Sequence, residues 1–145
     1  MLTMLALDPG KTTGWSFWEY GETTPATCLK HGQVEDGLDG YLEHIDKMEA
    51  DIIVAEQFIL DGRTPNPDVT PLKIEGALAS YSHGLNVPLV LQRNNFKKHV
   101  SNELLKEHGL YWKGEPHAMD SARHALAYLK TQHHYPTLEK YFMLN

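Results

Sequence analysis

The chain has 145 residues, 41% of them hydrophobic and 22% charged, which suits one core and one domain spanning 1–145 and leaves no room for a second. Thirteen Lys and Arg against 19 Asp and Glu give a net charge of −6, which excludes a uniformly basic nucleic-acid surface but not a local basic cluster. A single cysteine, Cys28, excludes an internal disulfide, and no apolar run nears the ~20 residues needed to cross a bilayer, so a cytoplasmic protein without a membrane partner is expected.

The apolar run at residues 2–7 predicts a first, buried strand, and the alternation from Thr13 to Tyr20 predicts a second, with Asp8, Pro9 and Gly10 turning between them. A stretch near 26–34 completes a three-stranded meander. Apolar residues at 38, 41, 42, 45 and 48 have helical spacing, and Ile52 to Ala55 reads as a fully buried strand. Gly62, Pro65, Pro67 and Pro71 make residues 61–71 a loop, a natural place for substrate contacts. A helix over Leu72–Tyr81, a buried strand over Pro88–Leu91 and one or two short helices near 95–107 follow. Ala118–Leu129, rich in Ala and Leu, predicts the clearest helix, and 137–142 adds a turn or two. Strands and helices in this order predict an α/β fold, a mixed central β-sheet flanked by α-helices.

Three segments carry acids or histidines where chemistry can use them. Asp8 ends a buried strand before a Pro-Gly turn, although Asp is also ordinary turn chemistry there. Glu56 follows a buried run, where a carboxylate is costly unless paired, bound to a cation or solvated at the strand end. His117, Asp120 and His124, at i, i+3 and i+7, share one helical face, although His and Asp near a helix start also serve as caps. Should Asp8, Glu56 and Asp120 converge, each carboxylate pair at ~4 Å repels by about 4 kcal/mol at an effective dielectric of 20, so a cation is needed to hold them together. Oxygen-rich donors favour Mg2+ or Mn2+, and two ions per site is the arrangement that nucleases use for phosphodiester hydrolysis.

The segments LALDPGKTTGWSFW, IIVAEQF, LKIEGALASYSHGLNVPLVLQRNNFKKHV and HAMDSARHALAYL, in that order, resemble the RuvC-type Holliday junction resolvases of the ribonuclease H-like superfamily. Length and spacing are closest to the compact phage-like forms. The resemblance implies a ribonuclease H-like fold, a metal-dependent endodeoxyribonuclease that resolves Holliday junctions and other branched DNA, and a homodimer that cuts two symmetric strands. Carried over by position, Asp8, Glu56, His117 and Asp120 are the catalytic and metal-binding residues. Lys11, Phe58, Lys73, Arg93, Lys97 and Lys98 are the DNA-binding candidates. An aromatic wedge follows the second acid in the family; here Phe58 is offset by one residue and Ile59 stands in register. The stretch between Lys98 and His117 is shorter than in the bacterial enzymes. A histidine at position 117 implies a preference for Mn2+ and a loss of activity as pH falls through the ordinary histidine range near 6.5. Three other readings compete. They are a ribonuclease H-fold nuclease acting on RNA or an RNA/DNA hybrid, a phosphate-binding turn of the actin-like ATPases, which need far more chain, and a non-catalytic DNA-binding module.

Overall fold

A largely apolar run from Leu2 to Asp8 forms β1, and Thr13 with the aromatic residues Trp15, Phe17, Trp18 and Tyr20 carries β2 (Thr13–Tyr20); β3 (Thr27–Val34) completes the antiparallel meander. The computed structural model describes residues 1–143. After α1 (Gly37–His44) the chain enters β4 (Ile52–Glu56), which lies parallel to β1. Helix α2 (Thr70–Leu85) returns it to β5 (Leu89–Gln92), parallel to β4. A 3₁₀ helix (Asn94–His99), α3 (Asn102–Glu107), α4 (Pro116–Thr131), α5 (Tyr135–Thr137) and a π turn (Leu138–Phe142) follow. The sheet order is β3-β2-β1-β4-β5, so the expected mixed sheet is present, with β1 at its centre.

Side-chain alternation divides the core between the two faces of this sheet. Met4 and Ala6 of β1 and Val54 of β4 pack with Trp18, Ala122, Ala125, Leu126 and Leu129 on the α4 side. Leu5, Leu7, Ile53 and Ala55 pack with Tyr41, Ile45, Ile74 and Leu78 on the α1 and α2 side. Ala and Leu at helical spacing let α4 lie flat on the sheet, and nine of its 16 residues are buried.

Boundaries or burial depart from the sequence reading in four places. Helix α1 stops at His44 rather than Met48, although Ile45 and Met48 still pack against the core. Helix α2 begins at Thr70 and takes Pro71 into its first turn, where the missing N–H costs nothing, and it runs on to Leu85 before Asn86 closes it with φ 56°. The strand over 88–91 proves to be an edge strand with Leu89, Val90 and Leu91 only half-buried, because β5 has a neighbour on one side alone. Ile52 likewise is only partly buried, at the start of β4.

Candidate active site

The alternation that sorts the core also aims two carboxylates. Asp8 has the same parity as Met4 and Ala6, and Glu56 the same as Val54, so both belong to the α4 face. The parallel register pairs Leu7 with Ala55, which places Asp8 and Glu56 side by side at the carboxyl ends of β1 and β4. That end of a parallel pair is where α/β folds bind ligands.

Helix α4 reaches these carboxylates because strand β2 lets it come close. Gly14 stands opposite Asp8 in the β1–β2 register, and a Cβ there would lie 1.9 Å from the backbone carbon of His117. Only glycine permits that approach. The first turn of α4 has no capping side chain of its own; Gln33 of β3 supplies one, its Oε1 accepting from the His117 N–H at 2.8 Å and the Ala118 N–H at 3.3 Å. Ser121 of α4 and Ser16 of β2 share a hydrogen bond at 2.8 Å inside the core, which fixes the helix on the sheet.

The helix so held meets both strand ends. His117 Nδ1 lies 3.1 Å from Asp8 Oδ2, and His124 Nε2 lies 2.9 Å from Glu56 Oε1. From the 3₁₀ helix, the Lys97 ammonium bridges Glu56 Oε1 at 3.1 Å and Asp120 Oδ2 at 3.2 Å. Arg123 holds the other oxygen of Asp120 at 3.3 Å and ties it to the Val100 carbonyl and to Asn102. Asp8, Glu56, His117 and Asp120 are thus drawn into one cluster, with Lys97 as its central cation.

The charges of this cluster are unequally settled. Burial and the nearby Glu56 carboxylate push Asp8 up to about 6, against a weaker opposing pull from the His117 hydrogen bond. Burial also pushes Glu56 upward, but the His124 hydrogen bond and the Lys97 ammonium together outweigh it and leave Glu56 below the usual carboxylate range. Burial disfavours the Lys97 charge, yet Glu56 and Asp120 more than compensate and raise it.

Among the described residues no three His, Cys, Asp or Glu side chains close in tightly enough to enclose a metal ion as they stand. Their chemistry nevertheless fits a hard divalent cation. Asp8, Glu56 and Asp120 are oxygen donors, Asp8 is pushed up to about 6 by burial and by the neighbouring Glu56 carboxylate, and among the described residues Lys97 alone bridges two of the acids.

The remaining candidates lie around this centre. Arg93 caps the 3₁₀ helix and Lys98 lies within it, both exposed, while Lys97 between them is turned into the cluster. Lys11 and Lys73 are exposed and line a shallow pocket with Glu35, Asp36 and Thr70, so acidic neighbours offset their charge. Phe58 is half-buried, whereas Ile59 and Leu60 after it are 54% and 58% exposed. Sequence reasoning had no role for His124, Gln92 or Gln33. His124 had a signal in its spacing, one turn beyond Asp120 on the face that also carries His117; the two glutamines had none, since their parts depend on strand register.

No protein-family model and no curated protein sequence matches the chain. Its fold, however, is that of solved resolvase structures. Thermus thermophilus RuvC in complex with a Holliday junction substrate superposes with a TM-score of 0.66, covering 92% of this chain and 98% of that one at 16% identity. A second T. thermophilus RuvC structure gives 0.63 over 90% and 96%, also at 16% identity. The yeast mitochondrial Holliday junction resolvase Ydc2 gives 0.58 at 16% identity, covering 97% of this chain and 84% of that one. The RuvC-like, ribonuclease H-like fold implied by the sequence motifs is therefore the fold of this chain.

Proposed function

We propose that this chain is a divalent-metal-dependent endonuclease that hydrolyses the phosphodiester backbone of four-way DNA junctions and other branched DNA. The observation that carries the reading is the convergence of Asp8, Glu56 and Asp120 at the carboxyl ends of adjacent parallel strands. The likeness to a RuvC–junction complex over nearly the whole of both chains supports the same class of substrate.

In this reading Asp8, Glu56 and Asp120 hold Mg2+ or Mn2+, two ions per site, and His117 supplies a nitrogen donor or a phosphate contact. The cations supply a water activated for attack and charge to stabilise the departing 3′ oxygen. Lys97 bridges Glu56 and Asp120 in the free protein, and with a cation offsetting those charges its ammonium would be available to contact a phosphate of the bound strand. Asp8, already near 6, ionises fully when positive charge is placed beside it. Arg123 keeps Asp120 aimed into the cluster. Lys11, Lys73, Arg93 and Lys98 follow the backbone on either side, and the loop bearing Phe58 and Ile59 meets the branch point.

The test is a comparison of a four-way junction, a linear duplex and an RNA/DNA hybrid of matched sequence, each with Mg2+ and with Mn2+. Junction cleavage well above the other two is expected. Preferential cutting of the hybrid replaces this reading with an RNA-directed nuclease, and binding without cutting makes the chain a DNA-binding module. A homodimer belongs to the same proposal, since a junction offers two symmetric scission points. Helix α2 is the surface proposed for it, with Leu72 and Leu85 44% and 60% exposed. Sedimentation at micromolar concentration should report a dimer; monomer alone, with and without junction, rejects it.

A further inference from the structure

One part of the cluster lies beneath the carboxylates rather than among them. His124 is fully buried on α4, Gln92 is 3% exposed at the end of β5, and β5 sets Gln92 directly beside Glu56 in the sheet register. The Gln92 amide nitrogen lies 3.0 Å from the backbone carbonyl oxygen of His124 and 3.1 Å from its ring Nδ1. A carbonyl oxygen can only accept, so the amide group facing it is the NH2 and not the oxygen. The same NH2 then donates to Nδ1, which must be the bare, accepting nitrogen of the ring. The ring proton therefore sits on Nε2, 2.9 Å from Glu56 Oε1.

We infer that His124, locked by Gln92 as the Nε2–H tautomer, is a positioning residue that fixes the Glu56 carboxylate for the proposed cleavage reaction. The geometry gives the device a direction. His124 and Lys97 both reach Oε1, and no described donor reaches Oε2, so one oxygen of Glu56 is anchored and the other is left for a ligand. A carboxylate at a strand end otherwise rotates freely about its last bond, and a cation or water must then order it at the moment of binding. Here the ordering is done beforehand by a donor that is itself immobile in the core. This inference rests on the nuclease reading for its purpose, but not for its hydrogen-bond chain.

Two measurements separate these. In 15N-labelled metal-free protein, two-bond nitrogen–proton correlations of the His124 ring should show Nε2 protonated and Nδ1 bare. A ring protonated at Nδ1, or one averaging between tautomers, overturns the inference. In junction cleavage, His124→Leu should lower kcat by about 10–100-fold with KM unchanged, the range seen when an outer partner of a metal ligand is lost. His124→Gln, whose amide can place an N–H near the position of Nε2, should recover most of that loss. A folded Leu variant that cuts at the parental rate, or a folded Gln variant as impaired as the Leu one, overturns the positioning role. Wild-type protein that cuts no junction, duplex or hybrid defeats the nuclease reading instead, while the ring spectrum still decides the tautomer.

Discussion

The site contains two acid–histidine pairs, built alike and left in opposite states. Asp8 ends β1 and meets His117; Glu56 ends β4 and meets His124, and the separations are 3.1 and 2.9 Å. Yet Asp8 is pushed up to about 6, whereas Glu56 is held below the usual range. Three features account for the difference: burial, the Glu56 carboxylate that faces Asp8, and the cation beside Glu56. Asp8 is the more deeply buried, with 10% of its side chain exposed against 22% for Glu56, and only Glu56 shares a full cation, Lys97. Histidine contact alone thus does not settle a strand-end carboxylate; desolvation and the nearest permanent charge decide it. Asp8 is left as the acid with charge still to be matched, and Glu56 as the one already in order.

The largest break in this comparison removes an acid from the unmatched end. Asp8→Asn, or Asp120→Asn in the same cluster, should abolish junction cleavage while leaving junction binding intact or stronger, since each swap keeps the shape, weakens metal coordination and removes repulsion from phosphate. Paired cleavage and gel-shift assays check it. Loss of binding together with cutting would assign these acids a folding role.

Next in size is the histidine of the exposed pair. His117 is 46% exposed in its side chain, against 0% for His124, so it can turn toward a ligand where His124 cannot. His117→Ala should impair cutting severely, and His117→Asp should preserve it with a shift in preference from Mn2+ toward Mg2+. Rates measured across a series of both metals decide between them, and an alanine variant cutting at the parental rate in Mg2+ would remove His117 from the catalytic set.

The strained state of Asp8 also predicts a gain in stability. A carboxyl raised from 3.8 to about 6 favours the folded state below its ordinary value, and that contribution is lost as pH rises through about 6. In metal-free protein Asp8→Asn should therefore be more stable than the parent at pH 7.5 by about 2 to 3 kcal/mol, the free energy of the shift, with the advantage fading below about pH 4. Urea denaturation at both pH values checks this, and equal stability at pH 7.5 would mean that Asp8 is already matched.

Much of this arrangement was legible before the fold was known, because it depends on local pattern. The short apolar runs in LTMLALD and IIVAE mark both strands and put an acid at the end of each, and i, i+3, i+7 spacing puts His117, Asp120 and His124 on one face of α4. What could not be read depends on pieces far apart in the chain. Gln33 caps α4 across 84 positions, Gln92 meets His124 across 32, and neither belongs to any local motif. Lys97 reads as one of several basic residues in QRNNFKKHV; only the 3₁₀ turn of Asn94–His99 directs it inward while Lys98 faces solvent. The edge position of β5 was hidden for the same reason, since a short apolar run has no mark of how many neighbours its strand will have.

The smallest expected effect tests the matched end. If Lys97 is what separates Glu56 from Asp8, then Lys97→Met, which keeps the stem and removes the charge, should make the two carboxylates alike. Glu56 lies below its ordinary value, so it stabilises the fold above that value and the contribution is lost as pH falls through its lowered one. Removing Lys97 removes part of that contribution and leaves Glu56 and Asp120 facing each other without their shared ammonium. Metal-free Lys97→Met should therefore lose about 1 to 2 kcal/mol at pH 7, toward the low end of the worth of a hydrogen bond to a charged group because both side chains are partly exposed and solvent-screened, and lose less at pH 4. Its junction affinity should also depend less steeply on salt, by about one phosphate contact, if the freed ammonium meets the backbone. Denaturation midpoints that match the parent at both pH values would show that Lys97 contributes nothing to Glu56, and the contrast between the two acid–histidine pairs would then rest on burial, the His124 hydrogen bond and the carboxylate facing Asp8.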